Sequence, residues 1–363
     1  MRALAGIAAG VVASALILHF CAPGRTPTPT RLVAEDASAP LKRIAIHYAP
    51  AADRVASSVW RQLFAVLPPN VEVEVEVARQ ADFERFTHLI AGDGHLDRFH
   101  PVVVGTTITT WSRDRYAALV DSSGHGAILA PPQVEAPTPE RAGDARSPFA
   151  ISRALYHREP KVADIVFEGG DLAATPHLVF ADVNLTARNL GHRDADRTSI
   201  EHELHAHFAQ QLVWLGDSLG DVPRHHIMMY MMPIDDHTVA VGDIRAGVKL
   251  LGDTPLALDD VDLEAARFDK AAELLAAKGF RVVRVPALVL AGAGSYVTYT
   301  NALFDVRDGH RVIYMPTYAL PALDDAGKRF WQAQGFEVHP IDVSPIYRLN
   351  GSLGCLVNVL ARA

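Results

Sequence analysis

The chain has 363 residues, 49% of them hydrophobic and 21% charged, with no dominant low-complexity block. Those values describe a packed globular protein of one large domain or two ordinary ones. A net charge of −8 and the lack of a Lys/Arg stripe argue against a nucleic-acid partner.

Met1-Arg2 is followed by residues 3–20, apolar apart from Ser14 and His19. This pattern predicts an export signal or membrane anchor, and hence an exported protein, periplasmic or extracellular. Cys21 follows Leu18-His19-Phe20, a poor site for lipidation because no small residue precedes the cysteine. Residues 22–42, rich in Pro, Thr, Ala and Ser, read as a flexible linker to a single domain spanning 43–363. An oxidising compartment rewards paired cysteines, yet the only other cysteine is Cys355. A leftover thiol there is either buried and inert or kept for chemistry.

Beyond residue 42 short strands alternate with helices, an α/β pattern. Arg43 to His47 reads as a strand and Ala51 to Leu67 as an amphipathic helix. Val71 to Val77 alternates valine with glutamate, which predicts a strand with a solvated carboxylate face. Further strands are expected at 88–91 and 102–107, and residues 121–160 read as a long excursion or lid. Strands at 163–167 and 178–183 precede a helix over 199–215. Pro233-Ile-Asp-Asp-His237 joins two strands as a hairpin. Helices at 263–278 and 324–334 then alternate with strands at 281–285, 296–304, 311–315, 337–342 and 355–360. Glu201-His-Glu-Leu-His-Ala-His207 lacks the spacing of a zinc helix and is read as a solvated face. Gly292-Ala-Gly294 lacks the rest of a nucleotide-binding fingerprint.

Four segments carry chemistry. Cys355 follows the Gly-rich run Asn350-Gly-Ser-Leu-Gly354, where missing side chains let a substrate approach the sulfur. Trp111-Ser-Arg-Asp114 and Phe167-Glu-Gly-Gly-Asp171 supply carboxylates, and Arg224-His-His-Ile-Met-Met-Tyr230 supplies a histidine, His226 or its rival His225. A thiol, a histidine and several carboxylates are the equipment for attack on a cationic, amidine-like carbon. Two carboxylates fix such a planar cation by paired hydrogen bonds, while the imidazole handles protons.

In this order the four segments resemble the guanidine-modifying pentein superfamily. That group includes agmatine, arginine and peptidyl-arginine deiminases, dimethylarginine hydrolases and amidinotransferases. The resemblance spans about residue 43 to the C-terminus and implies a five-bladed α/β propeller with a central site. It implies Cys355 as nucleophile and His226 as general acid/base. Asp114, Glu168 and Asp171 are then the substrate-binding carboxylates, with Asn301 a looser match. The implied reaction attacks the guanidino carbon of an arginine-like or agmatine-like substrate. It passes through a thiouronium on Cys355 and gives a ureido product and ammonia. Neither a metal nor an organic cofactor is expected. The departure is Met228, which stands where many relatives carry an aspartate that grips the guanidinium. Losing that charged anchor removes ~1.5–3 kcal/mol of binding. A changed substrate, dimethylarginine-type hydrolysis, amidino transfer and a non-catalytic binding pentein therefore remain as alternatives.

Overall fold

The computed structural model describes residues 29–132, 138–192, 195–292 and 294–363. The apolar N-terminal segment and Cys21 lie outside the described residues. Among the described residues, no helix is long and apolar enough to cross a membrane.

Five small sheets make up the strand content of the described residues. One contains Leu41–Tyr48, Glu72–Val77, Phe99–Val103 and the C-terminal Val357–Arg362. The second contains Thr30–Leu32, Ala117–Asp121, Gly126–Ala130 and Lys161–Val162. The third joins Ala173–Ala174, Leu178–Asp182 and Gln211–Leu215. Met231–Pro233, Thr238–Asp243, Arg281–Val289 and Tyr296–Thr298 form the fourth. Leu303–Arg307, His310–Thr317 and Phe336–Asp342 form the fifth.

Every sheet contains both an antiparallel and a parallel pair. Parallel neighbours need a crossover, and helices supply it. Asp53–Val66 links the first parallel pair, burying Ala56, Val59, Trp60, Leu63 and Phe64 on one stripe of the helix. Pro321–Ala333 does the same in the last sheet. The C-terminal strand returns to the first sheet, with Val357 opposite Ile46 and Asn358 opposite Ala45. The two ends of the domain are thereby held together.

Several sequence expectations need correction. The linker read over 22–42 is structured from Thr30 onward, because Thr30–Leu32 pairs with Ala117–Asp121 and Glu35 is buried against Arg113. Arg362 fastens the same segment, donating to Ala34 O (2.6 Å), Ala39 O (2.7 Å), Glu35 O (3.1 Å) and Phe304 O (3.1 Å). Arg362→Ala strands those carbonyls and is expected to destabilise the fold by about 3 kcal/mol, read from denaturant melts.

The glutamates of Glu72–Val77 are not all solvated. Glu74 and Glu76 are buried, and Glu76 accepts from the Tyr116 hydroxyl at 2.6 Å. The buried His47 lies 3.5 Å from the same carboxylate oxygen. Burial opposes the charge on His47, but Glu76 and Asp144 outweigh it and raise its pKa. Neighbouring structure covers the second face of this sheet, which alternation along one strand cannot reveal.

The strand expected at 88–91 is the end of helix Gln80–Leu89, and the 199–215 helix divides into helix Arg197–His207 and strand Gln211–Leu215. The 121–160 excursion is a hairpin followed by helices Pro139–Asp144 and Ser147–Tyr156.

Candidate active site

The chemistry-bearing residues sit at the junctions between successive sheets. Asp114 lies between the first and second, Glu168 between the second and third, and His226 between the third and fourth. Asn301 lies between the fourth and fifth, and Asn350 and Cys355 between the fifth and the returning strand of the first. Asp114, Glu168, His225, His226, Asn350 and Cys355 line one pocket of about 220 Å³, with Trp111, Arg141 and Leu349.

Two glycines explain the Glu168 turn. A Cβ on Gly169 would lie 2.3 Å from Arg113 O, and one on Gly170 would lie 2.5 Å from the His226 ring. The bare backbone lets this turn pass between the Asp114 loop and the imidazole. Asp171 caps the turn by accepting from Glu168 N at 2.7 Å. Gly170→Ala is expected to displace His226 and cut turnover on the order of 10²-fold while the protein stays folded. Initial rates beside a thermal melt would check this.

His226 Nε2 is 2.8 Å from Glu168 Oε2, and its Nδ1 has no hydrogen-bond partner among the described residues. Burial opposes the imidazolium, but Cys355, Glu168 and Asp114 outweigh it and hold the His226 pKa well above its ordinary value. Burial likewise opposes the Glu168 carboxylate; His226, Arg188 and Arg141 overcome it and hold that pKa far below the usual range. Both shifts run in the direction that favours an imidazolium–carboxylate pair.

His225 occupies left-handed backbone at φ +87°, a strained position for a residue with a Cβ. Its Nδ1 accepts from His226 N at 2.8 Å, and the two rings meet edge to face at 4.6 Å. Burial and the His226 charge push its pKa down to about 3, so it remains neutral. Of the two rings, only His226 has a raised pKa and contacts Glu168.

Asp114 closes the opposite wall. Its Oδ2 is 2.5 Å from Arg141 Nη1. Burial and the Glu168 charge raise its pKa, with His226 and Arg141 opposing. Next to it Arg113 is buried, ion-paired with Glu35 and donating to Leu172 O at 3.1 Å. Burial lowers the Arg113 pKa to about 10, with neighbouring Asp114 supporting its cation.

The thiol sits in a four-residue helix, Leu353–Leu356, immediately before the final strand. Ser112 Oγ donates to Leu356 O at 2.8 Å, and Asn358 Nδ2 to Tyr116 O at 3.1 Å, which ties this loop to the Asp114 loop. Asn301 Nδ2 donates toward Cys355 Sγ at 3.6 Å. A Cβ on Gly354 would meet Asn301 Oδ1 at 2.8 Å, and one on Gly351 would meet the Trp111 ring at 2.3 Å. The Gly-rich run is thus required for close packing around the sulfur, and Trp111 both packs on Gly351 and faces the pocket.

The structure brings together Cys355, His226, Asp114 and Glu168 but keeps Asp171 out of the pocket lining. Arg188 donates to both Asp171 oxygens, at 2.7 and 3.0 Å, and lies 3.1 Å from Glu168 Oε2. Asp171 is thus engaged by Arg188 and by the backbone of Glu168, behind the pocket wall. Met228 is also off the pocket lining, buried beside the Cys355 loop where its methyl would meet a Gly354 Cβ at 3.4 Å. Arg141 and Arg188 escaped sequence reasoning, since isolated arginines carry no motif. His207 pairs with Glu203 at 2.9 Å, and His202 and His205 are exposed.

Asp114, Glu168 and His226 each offer a ligand atom within 4.8 Å of the others. Arg141 and Arg188 already pair with these carboxylates, and a carboxylate matches the N–H fork of a guanidinium.

No protein-family model matches the chain, and a search of curated proteins finds no match. Among solved structures, an agmatine deiminase of C. jejuni is similar over 92% of this chain and 98% of its own, at 19% identity and TM-score 0.66. A cysteine-to-serine variant of that protein with substrate bound covers 91% of this chain and 96% of its own, again at 19% identity and TM-score 0.66. An agmatine deiminase of Enterococcus faecalis covers 92% of this chain and 96% of its own at 14% identity and TM-score 0.65. The chain thus has the α/β pentein fold found in these agmatine deiminases.

Proposed function

We propose that the protein is a hydrolase of guanidino compounds, working through Cys355. The observation carrying this reading is the convergence of a thiol, an imidazolium and two inward-facing carboxylates in one small pocket. Asp114 and Glu168 orient the guanidinium and hold its carbon beside the sulfur. The thiolate adds to that carbon, and the resulting tetrahedral centre collapses by breaking one C–N bond. His226 gives its proton to the departing amine, so ammonia leaves and a thiouronium remains on Cys355. Neutral His226 then takes a proton from water, hydroxide adds to the same carbon, and the C–S bond breaks to release a ureido product. His226 thus serves the transfers to the departing amine and from the attacking water, and the proton remaining on the ureido product passes to solvent.

The pentein likeness supports a closed ring of five blades, with the five inter-sheet junctions facing its axis. The likeness to agmatine deiminases makes agmatine the first substrate to test, and a free guanidino metabolite or an arginine side chain follows. Export and N-terminal anchoring rest on the apolar residues 3–20. Cell fractionation of the full chain, with and without those residues, tests that part of the reading.

One observation favours a second reading, a pentein that binds without turning over: Met228 supplies no third charged anchor. Product analysis on the full chain under reducing conditions separates the readings. Agmatine, arginine, methylated arginines and an arginine peptide would be offered singly. Ureido product with ammonia supports the deiminase, and amine release supports dimethylarginine-type hydrolysis. Amidine transfer to an added amine would make it an amidinotransferase. Binding without any product would support the second reading.

A further inference from the structure

The carboxylate expected to hold the substrate cation already holds one from the protein itself. Arg141 lines the pocket and presents a guanidinium, the same group a substrate would bring, at 2.5 Å from Asp114 Oδ2. Only its Nη1 is engaged; no hydrogen-bond partner reaches its other side-chain nitrogens among the described residues. The side chain is 26% exposed, so it faces the open side of the pocket, whereas Asp114 is 4% exposed.

The backbone beneath Arg141 is held firmly. A Cβ on Gly143 would lie 1.8 Å from Thr107 O, and Asp144 accepts from Thr109 N at 2.7 Å and Thr109 Oγ1 at 2.8 Å. Movement is therefore confined to the arginine side chain. A second carboxylate gives it somewhere to go, because Asp144 Oδ2 is only 3.6 Å from the same Nη1. Shifting the guanidinium fully onto Asp144 would leave the Asp114 carboxylate open to another cation.

We propose that Arg141 is an internal competitor that fills the guanidinium place at Asp114 and sets the affinity for cationic substrates. This rests on the reading of the pocket as a guanidinium site. It assigns Arg141 a specificity role, since a ligand must displace an equivalent cation before its carbon can reach Cys355. Neutral ligands gain nothing from displacing it.

A matched pair of thiol reagents tests this without requiring turnover. 2-Chloroacetamidine is cationic and 2-chloroacetamide is neutral; with either, Cys355 sulfur forms a C–S bond as chloride leaves. The readout is the ratio of the two alkylation rates at Cys355 relative to the same ratio for free cysteine. Wild type should prefer the amidine, and Arg141→Gln should raise that preference about tenfold, the effect of removing one charge-assisted competitor. In an Asp114→Asn background the same substitution should add nothing. Arg141→Lys, which keeps the charge but loses the planar fork, replaces the Gln variant if thermal melting shows the latter unfolded, and should raise the preference by a smaller factor.

An amidine preference in wild type that is unchanged or reduced by Arg141→Gln overturns the competitor and leaves the guanidinium site standing. An equal rise with and without Asp114 also overturns it, because the effect is then one of net charge alone. No preference above free cysteine in any variant overturns the guanidinium site itself.

Discussion

Cys355→Ser is expected to lower ureido product formation on the order of 10⁴-fold or more, while the substrate still binds. The hydroxyl is a far weaker nucleophile near neutral pH, and Glu168 and Asp114 still favour the His226 imidazolium against burial, so the neighbouring ring is a poor base for it. The serine keeps the packing around Asn301 and Gly354, so the fold should melt within a few degrees of wild type. Isothermal titration with the best substrate, beside initial rates, separates binding from turnover. Near-wild-type turnover in this variant would remove Cys355 from the mechanism.

Glu168→Gln should have the second largest effect, through two routes. It removes one of two charges that grip the guanidinium, and it removes the partner that keeps His226 protonated. Loss of kcat/KM on the order of 10²–10³-fold is expected. Stability should fall by about 3 kcal/mol, since a buried ion pair loses one member while Arg188 keeps its bonds to Asp171.

The pH dependence of that loss has a definite sign. The folded pKa of Glu168 is depressed from 4.5, so its stabilising share is present above that value and fades as pH falls toward the folded pKa. The folded pKa of His226 is raised from 6.5, so its share is full below 6.5 and fades as pH climbs through the folded value. The difference between wild type and Glu168→Gln should therefore be greatest between pH 4.5 and 6.5 and shrink on either side. Denaturant melts across this range would show it, and a difference flat with pH would contradict the paired charges.

Much of the site was legible because each of its loops carries a compact motif. Glycines beside a carboxylate or thiol marked Glu168 and Cys355, and the structure gives the reason in contacts that leave no room for a Cβ. The sequence favoured His226 over His225, but the left-handed backbone at His225 left no trace in it. Arg141 and Arg188 were invisible, because pairing with Asp114 and with Asp171 and Glu168 depends on how separate segments close on one another. For Asp171 the place in the motif was clear, but its bonds to Arg188 were not.

Strands were read from alternation and burial was not. Valine-glutamate alternation marks a strand correctly, yet whether its acidic face meets water depends on Tyr116 and His47 from other segments. Composition also misplaced the end of the linker, since Thr30–Leu32 gains its strand partner from nearly ninety residues further along. Such long-range pairing leaves no local trace in the chain.

The central claim is covalent capture of a guanidino carbon by Cys355. Its most direct test is an acid quench of the full chain during turnover of the best guanidino substrate, followed by peptide mass spectrometry. An amidino adduct on the Cys355 peptide, formed and lost at rates compatible with turnover and missing from Cys355→Ser, is the predicted result. Steady ureido production with Cys355 unmodified throughout, or continuing in the serine variant, would contradict it.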